Sequence, residues 1–340
     1  MKRQTEVGWV FLCTVLVYLG ASQVLSYFTL PSAIRIVIGQ LILILPSVIY
    51  LIVKKEKVTE LLRIRKISIA NVILLILFAF LILPILAVCN AFSMLFARNE
   101  ISVQIEGIVT NVPLFAALIL IALIPCILEE SVYRGMFYNE FRKIRPLAAV
   151  VLSGFLFGLM HMNFNQFAYA FVLGCILPLV IEATDSILAS MVIHFTINAN
   201  STIWMYLLPK LMQWAEDMMQ SAAKESGISV QDIMGDAAQG GSVSEIANAV
   251  GNDKMALLAS MRLYAVIGVV TGVLAFLVYK AIAKNAGRWE ILCEKFGRSS
   301  EDVSEGNMQT VQTKERLLSL PLVIGIVLCL AMMVYRAIAV

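Results

Sequence analysis

An all-helical bundle that crosses a bilayer eight or nine times is the fold this sequence predicts, and three observations predict it. Of 340 residues, 60% are hydrophobic and only 14% charged. The mean hydropathy of +0.87 exceeds what a soluble core of this size needs. The apolar runs are long and unbroken, unlike the short alternating strands of a membrane barrel.

A helix needs roughly 20 apolar residues to cross the bilayer, and nine segments supply them in order. Residues 9–28 follow only Lys2 and Arg3, outrun a signal-peptide core and carry no small-x-small cleavage pattern, so this span is expected to be retained. Residues 34–53 and 69–96 complete an amino-terminal group, 1–108. Residues 113–138, 147–162, 167–182 and 187–208 form a central unit, 109–208, whose second and third spans are short. Residues 209–259 change character. "LMQWAEDMMQSAA" keeps apolar residues at helical spacing, whereas "GDAAQGGSVS" breaks the pattern. Short amphipathic helices on the outer surface are expected there, as a tolerated insertion or as a lid or docking element. Spans 260–284 and 317–337, in a carboxyl-terminal unit 260–340, flank a polar inner loop, 285–316, expected to be partly disordered.

Basic residues set the orientation. With the amino terminus inside, the inner segments hold seventeen Lys and Arg and the outer segments seven, so the amino terminus is expected in the cytoplasm. The basic residues are scattered over short loops and form no patch, which argues against nucleic-acid binding. The six cysteines lie almost all inside spans with no CxxC pair and read as small core residues.

The stretch "CILEESVYRG" (126–135) places charge at the end of the fourth span. A carboxylate at mid-membrane costs about 2.5–3.5 kcal/mol on insertion scales, so Glu129 and Glu130 need compensation. Residues four apart share a helix face and adjacent ones differ by about 100°. Glu130 is therefore expected to pair with Arg134, leaving Glu129 free to work. The bland alternative puts both at the cytoplasmic end with Arg134 snorkelling to the surface.

The histidines favour the functional reading. The chain has two, and both fall in spans: His161 in "GFLFGLMHMNFNQ" and His194 in "SILASMVIHFTINANS". Asn198 follows His194 by one turn and presents its carboxamide on the same face. A carboxylate, two imidazoles and an amide suit hydrolysis. Glu129 would take a proton from water held by His161, while His194 and Asn198 donate to the oxyanion. Glu129, His161 and His194 equally suit a divalent metal such as zinc, which would acidify the water.

"EESVYR" (129–134) fits EExxxR, "FGLMH" (157–161) fits FxxxH and "HFTIN" (194–198) fits HxxxN, in order and on separate spans. In these motifs the chain resembles the CPBP family of intramembrane proteases, which includes CAAX prenyl endopeptidases and bacteriocin-processing or immunity (Abi-type) proteins. The resemblance covers about residues 110–205. It implies a helical core around a hydrated chamber, with Glu129 as the water-activating residue, His161 its partner, His194 and Asn198 at the remaining motif positions, and Glu130 with Arg134 in support. It implies a peptide or small membrane-protein substrate, and a bacterial plasma membrane is the expected location. Two other classes fit part of this pattern: a non-catalytic immunity or scaffold protein, and a transporter, for which no repeated halves are visible.

At about 1.5 Å rise per residue, Glu129 and His194 lie roughly 10–14 Å from the inner ends of their spans and His161 about 20 Å from its own. For the three to meet, the chain is expected to turn within the membrane at "NFNQ" (163–166), beside a cavity where irregular backbone is permitted.

Overall fold

A computed structural model describes residues 3–55, 57–97, 108, 111–226, 254–297 and 317–339. Every regular element among them is helical. In chain order these are α1 (Arg3–Ser26), α2 (Ser32–Lys54), the short α3 (Val58–Leu61), α4 (Ile69–Met94), α5 (Leu114–Phe141), α6 (Pro146–Met160), α7 (Phe164–Thr184), α8 (Ile187–Ser226), α9 (Lys254–Asn285), α10 (Trp289–Gly297) and α11 (Leu320–Ala339).

All nine predicted spans fall on helices. Seven of these helices, α1, α2, α4, α5, α7, α9 and α11, are long and apolar enough to cross a bilayer, as an integral membrane protein requires. The other two belong to the central unit. With 15 residues, α6 rises only about 22 Å. In α8, His194, Asn198 and Asn200 dilute the apolar run with polar side chains.

Two expectations change at the element level. Composition ends the seventh span near residue 208, but α8 continues through Pro209 to Ser226 as one helix of 40 residues. The amphipathic pattern of 211–223 therefore extends a span and forms no separate surface helix. Residues 227–253, including the glycine-rich stretch, lie outside the described residues. In the polar 285–316 loop, 289–297 form α10, where Trp289 meets the Phe276 ring edge-on at 6.3 Å and takes the Lys280 ammonium over its face at 5.2 Å. Residues 298–316 lie outside the described residues.

Two apolar clusters build the bundle. One joins Val7 and Phe11 of α1, Tyr133 and Phe137 of α5, Leu156 and Leu159 of α6, and Leu322 and Met333 of α11. The other joins Leu75 and Ile82 of α4, Leu173 and Leu177 of α7, Ile193 and Ile197 of α8, Ile282 of α9, and Leu292 of α10. Helix α7 borders both, through Ala170 on one side and Leu173 on the other.

At one end of the bundle, ion pairs tie the connecting segments together. Buried Glu182 accepts from Arg63 at 2.9 Å, Lys295 at 2.7 Å and Tyr138 at 3.2 Å, and also pairs with Arg142. Next to it Asp185 pairs with Arg63, with Arg65 at 2.7 Å and with Arg288 at 3.7 Å. These contacts link the α3–α4 connection, α5, α7 and α10. The Glu182 side chain thus joins three helices and the α3–α4 connection.

Candidate active site

Helix α5 carries the two glutamates, and its backbone is unusual. Two stretches, Leu118–Leu123 and Ser131–Tyr138, are wound as π-helix, a form that concentrates at functional sites. In the second stretch every residue from Val132 to Tyr138 is buried. The wider turn lets one helix bury side chains on several sides at once.

Glu130 and Arg134 pair as expected, at 3.0 Å, with Glu130 wholly buried and Arg134 2% exposed. Arg134 also donates through Nη2 to the Gly174 carbonyl at 3.3 Å. The residue that would close the next α-turn onto that carbonyl is Pro178, which has no N–H. The guanidinium thus takes an acceptor that α7 leaves open. Its carbon stands 4.4 Å from the centre of the Phe157 ring, a cation–π contact.

His194, 3% exposed, lies between the two carboxylates. Its Nδ1 is 3.0 Å from Glu130 Oε1 and its Nε2 3.8 Å from Glu129 Oε2. An ionised carboxylate only accepts, so Nδ1 carries the hydrogen and Nε2 is left facing Glu129. The 3.8 Å separation is too long for a direct bond and suits a shared third partner. The Glu129 side chain retains 13% exposure whereas that of Glu130 has none, so of the two it is Glu129 that can meet solvent. Glu129 Oε1 accepts from Gln40 Nε2 of α2 at 2.8 Å.

His161 sits at the end of α6. The last turn tightens there, with His161 N–H bonded to the Gly158 carbonyl at 3.2 Å. This releases the Phe157 carbonyl, one of the orphan acceptors of any helix end, and His161 Nδ1 donates to it at 2.9 Å. Nε2 is thereby the bare, accepting nitrogen. Met162 then adopts φ 48°, and Asn163 caps α7 by accepting from the Asn165 and Gln166 amides at 2.8 and 3.1 Å. The reversal expected at "NFNQ" (163–166) takes place at 161–163 and overlaps that stretch only at Asn163.

The Phe157 ring joins the histidines. It meets His161 edge-on with centroids 5.1 Å apart and His194 at 5.8 Å. The imidazoles therefore share one aromatic neighbour despite their different distances along their helices. Asn198, one turn beyond His194, donates to the Ile121 carbonyl at 3.2 Å, whose α-helical donor would be Pro125, again without an N–H. One of its two amide hydrogens is engaged and the other is available.

The α6–α7 hairpin holds His161 in place through a glycine crossing. A Cβ on Gly174 would stand 2.6 Å from the Gly154 Cα, and one on Gly154 would stand 2.8 Å from the Cys175 nitrogen. Only residues without a side chain permit this approach, a common device between membrane helices.

Gln40 and the connecting role of Phe157 escape a reading from charged and imidazole residues. A signal existed for the first: Gln40 is a single amide in the apolar run "IVIGQLILIL". As for a metal, no group of three or more His, Cys, Asp and Glu side chains among the described residues is arranged to hold one. Both Nδ1 atoms donate to oxygen acceptors, which leaves each Nε2 as the nitrogen that would bind a metal. As they stand, Glu129, His161 and His194 are not gathered into such a group.

The segment bearing these side chains has a recognisable relative. Residues 111–200 match the family model of the Rce1-like type II CAAX prenyl endopeptidases. The Rce1-like match runs from the start of α5 through His194 and Asn198 and leaves α1, α2, α4, α9 and α11 outside it. No curated protein and no solved structure matches the chain.

Proposed function

We propose that the chain is an intramembrane endopeptidase in which Glu129 activates a water molecule for attack on a peptide carbonyl. The observation that carries this reading is the Glu130-anchored His194, which stands 3.8 Å from the partly exposed Glu129 carboxylate and shares the Phe157 ring with His161, within the segment similar to CAAX prenyl endopeptidases.

Glu129 Oε2 takes one proton from water, and the oxygen forms a bond to the carbonyl carbon while the carbonyl π-pair moves to oxygen. His161 Nε2, as an acceptor, orients that water. The oxyanion is met by the free amide hydrogen of Asn198 and by His194, in the state where Nε2 bears a proton. When the intermediate collapses, the C–N bond breaks and the proton held by Glu129 passes to the departing amine. One water is consumed, leaving a carboxylic acid and an amine, which exchange the remaining water proton to become carboxylate and ammonium.

The basic-residue bias supports an amino terminus in the cytoplasm. The substrate class is a peptide or small membrane protein reaching the site from the bilayer, and a prenylated CAAX peptide is the first probe because of the family match. The test incubates the full chain in detergent with farnesylated and unmodified peptides and reads products by mass spectrometry. Cleavage by the wild type, with E129Q reduced about 10²- to 10⁴-fold, is expected. Equal cleavage by E129Q contradicts the proposal.

A further inference from the structure

Among the described residues, Glu129 has a polar side-chain neighbour from outside the motif-bearing segment, and it comes from a helix little committed to the bundle. In α2 only Leu43 and Ser47 are buried, and Leu41, next to Gln40, is 57% exposed. Yet Gln40 reaches inward and donates to Glu129 Oε1 at 2.8 Å. The chemistry fixes the amide's orientation, since an ionised carboxylate repels the amide oxygen and attracts the NH₂. The other end of the same amide, Oε1, is buried without a partner. Unpaired burial of that kind is destabilising, and a residue retained only for packing has no reason to incur it.

The geometry says what is gained. The terminal torsion of a glutamate is broad and roughly two-fold, so an unrestrained carboxylate turns freely. Fixing Oε1 toward α2 leaves Oε2 toward His194, 3.8 Å from Nε2. Gln40 also lines a cavity of about 250 Å³ with Val37, Leu41, Ile124, Ile127 and Leu128, between α2 and α5. The restraint on the base is thus held from the wall of an apolar groove and not from the bundle centre.

We propose that Gln40 is a positioning residue: its amide holds the Glu129 carboxylate in the rotamer that directs Oε2 to His194. This inference rests on the hydrolase reading above. It predicts a loss in kcat and not in binding, because Gln40 acts through the base. Partners that orient a catalytic group change activity by about 10- to 100-fold.

The experiment compares wild type, Q40L and Q40E in detergent on a farnesylated peptide probe from pH 5 to 8. Q40L is expected to lower kcat about 10- to 100-fold with KM within about twofold. Q40E, nearly isosteric, is expected to match Q40L at pH 8 and to recover relative to wild type toward pH 5, where the introduced carboxyl, once protonated, again has an O–H to donate. A Q40L kcat within twofold of wild type, or a Q40E profile that follows Q40L at every pH, overturns the proposal. Should the wild type cleave no probe, the hydrolase reading fails by itself. The infrared band of Glu129, isolated as wild type minus E129Q, then decides the contact: its displacement in Q40L supports the proposal and an unmoved band overturns it.

Discussion

Glu130 and Arg134 show how one buried charge is made tolerable by another. Removing one partner leaves an unpaired ion in a site with no exposure, which costs about 3–5 kcal/mol, whereas replacing both with apolar residues of similar volume is often neutral. R134M is therefore expected to lower thermal stability in detergent sharply, and the E130L/R134M double variant to regain only part of it, since buried His194 Nδ1 then lacks a partner. A double variant no more stable than R134M would contradict the pairing. The double variant is expected to stay inactive, because His194 Nδ1 loses its acceptor. At this scale the sequence is informative: the four-residue spacing assigns Glu130 to Arg134, and only Glu129 remains for chemistry. Gln40 is not legible as a partner of Glu129, because the contact spans 89 positions and no local spacing announces it.

The α6–α7 hairpin determines where His161 stands. A side chain on Gly174 must displace the Gly154 backbone, and overpacking of this kind typically costs about 1–3 kcal/mol. G174A is expected to lower the melting temperature and to reduce kcat more than packing variants of the outer helices do. The change would be read by thermal unfolding alongside peptide cleavage, and unchanged activity would separate the crossing from the site. The position of the reversal is nearly readable, since mismatched depths require a turn near "NFNQ". Its mechanism is not, because it depends on a released carbonyl captured by His161 and on Met162 in left-handed backbone. The π-wound turns of α5 are likewise invisible to apolar periodicity, which counts residues and not hydrogen-bond register. Polar dilution explains the opposite case: the residues that mark α8 for chemistry are those that weaken it as an apolar span.

For the molecule as a whole, the clamp on Glu182 and Asp185 joins segments from both sides of the 111–200 region. Burial works to raise the Asp185 carboxyl, but the hydrogen bond and charge of Arg63, with Arg288 and Arg65, prevail and hold it below its ordinary value. A carboxyl depressed in the folded state adds stability above its unfolded pKa, and that stability is lost as pH falls through the folded value. Melting temperature is therefore expected to be insensitive to this group at neutral pH and to fall below about pH 4. D185N should start lower and show a shallower acid slope, and parallel acid slopes would count against the clamp. The positive-inside count finds the charges of this face but not their partners, since Glu182 reads as one acid at the end of an apolar run. The unit boundaries drawn from composition also cut through helices, because α8 runs past residue 208 and α9 begins at Lys254.

In the proposed mechanism Glu129 and His194 act as one unit across a 3.8 Å gap. A double-mutant cycle on kcat/KM for peptide cleavage, with E129Q, H194A and the pair, tests this most directly. Groups that act together lose little more when both are removed than when either is, so the double variant should fall no lower than the worse single one. Losses that multiply, with the double variant reduced by the product of the two, would show independent residues and contradict the shared site.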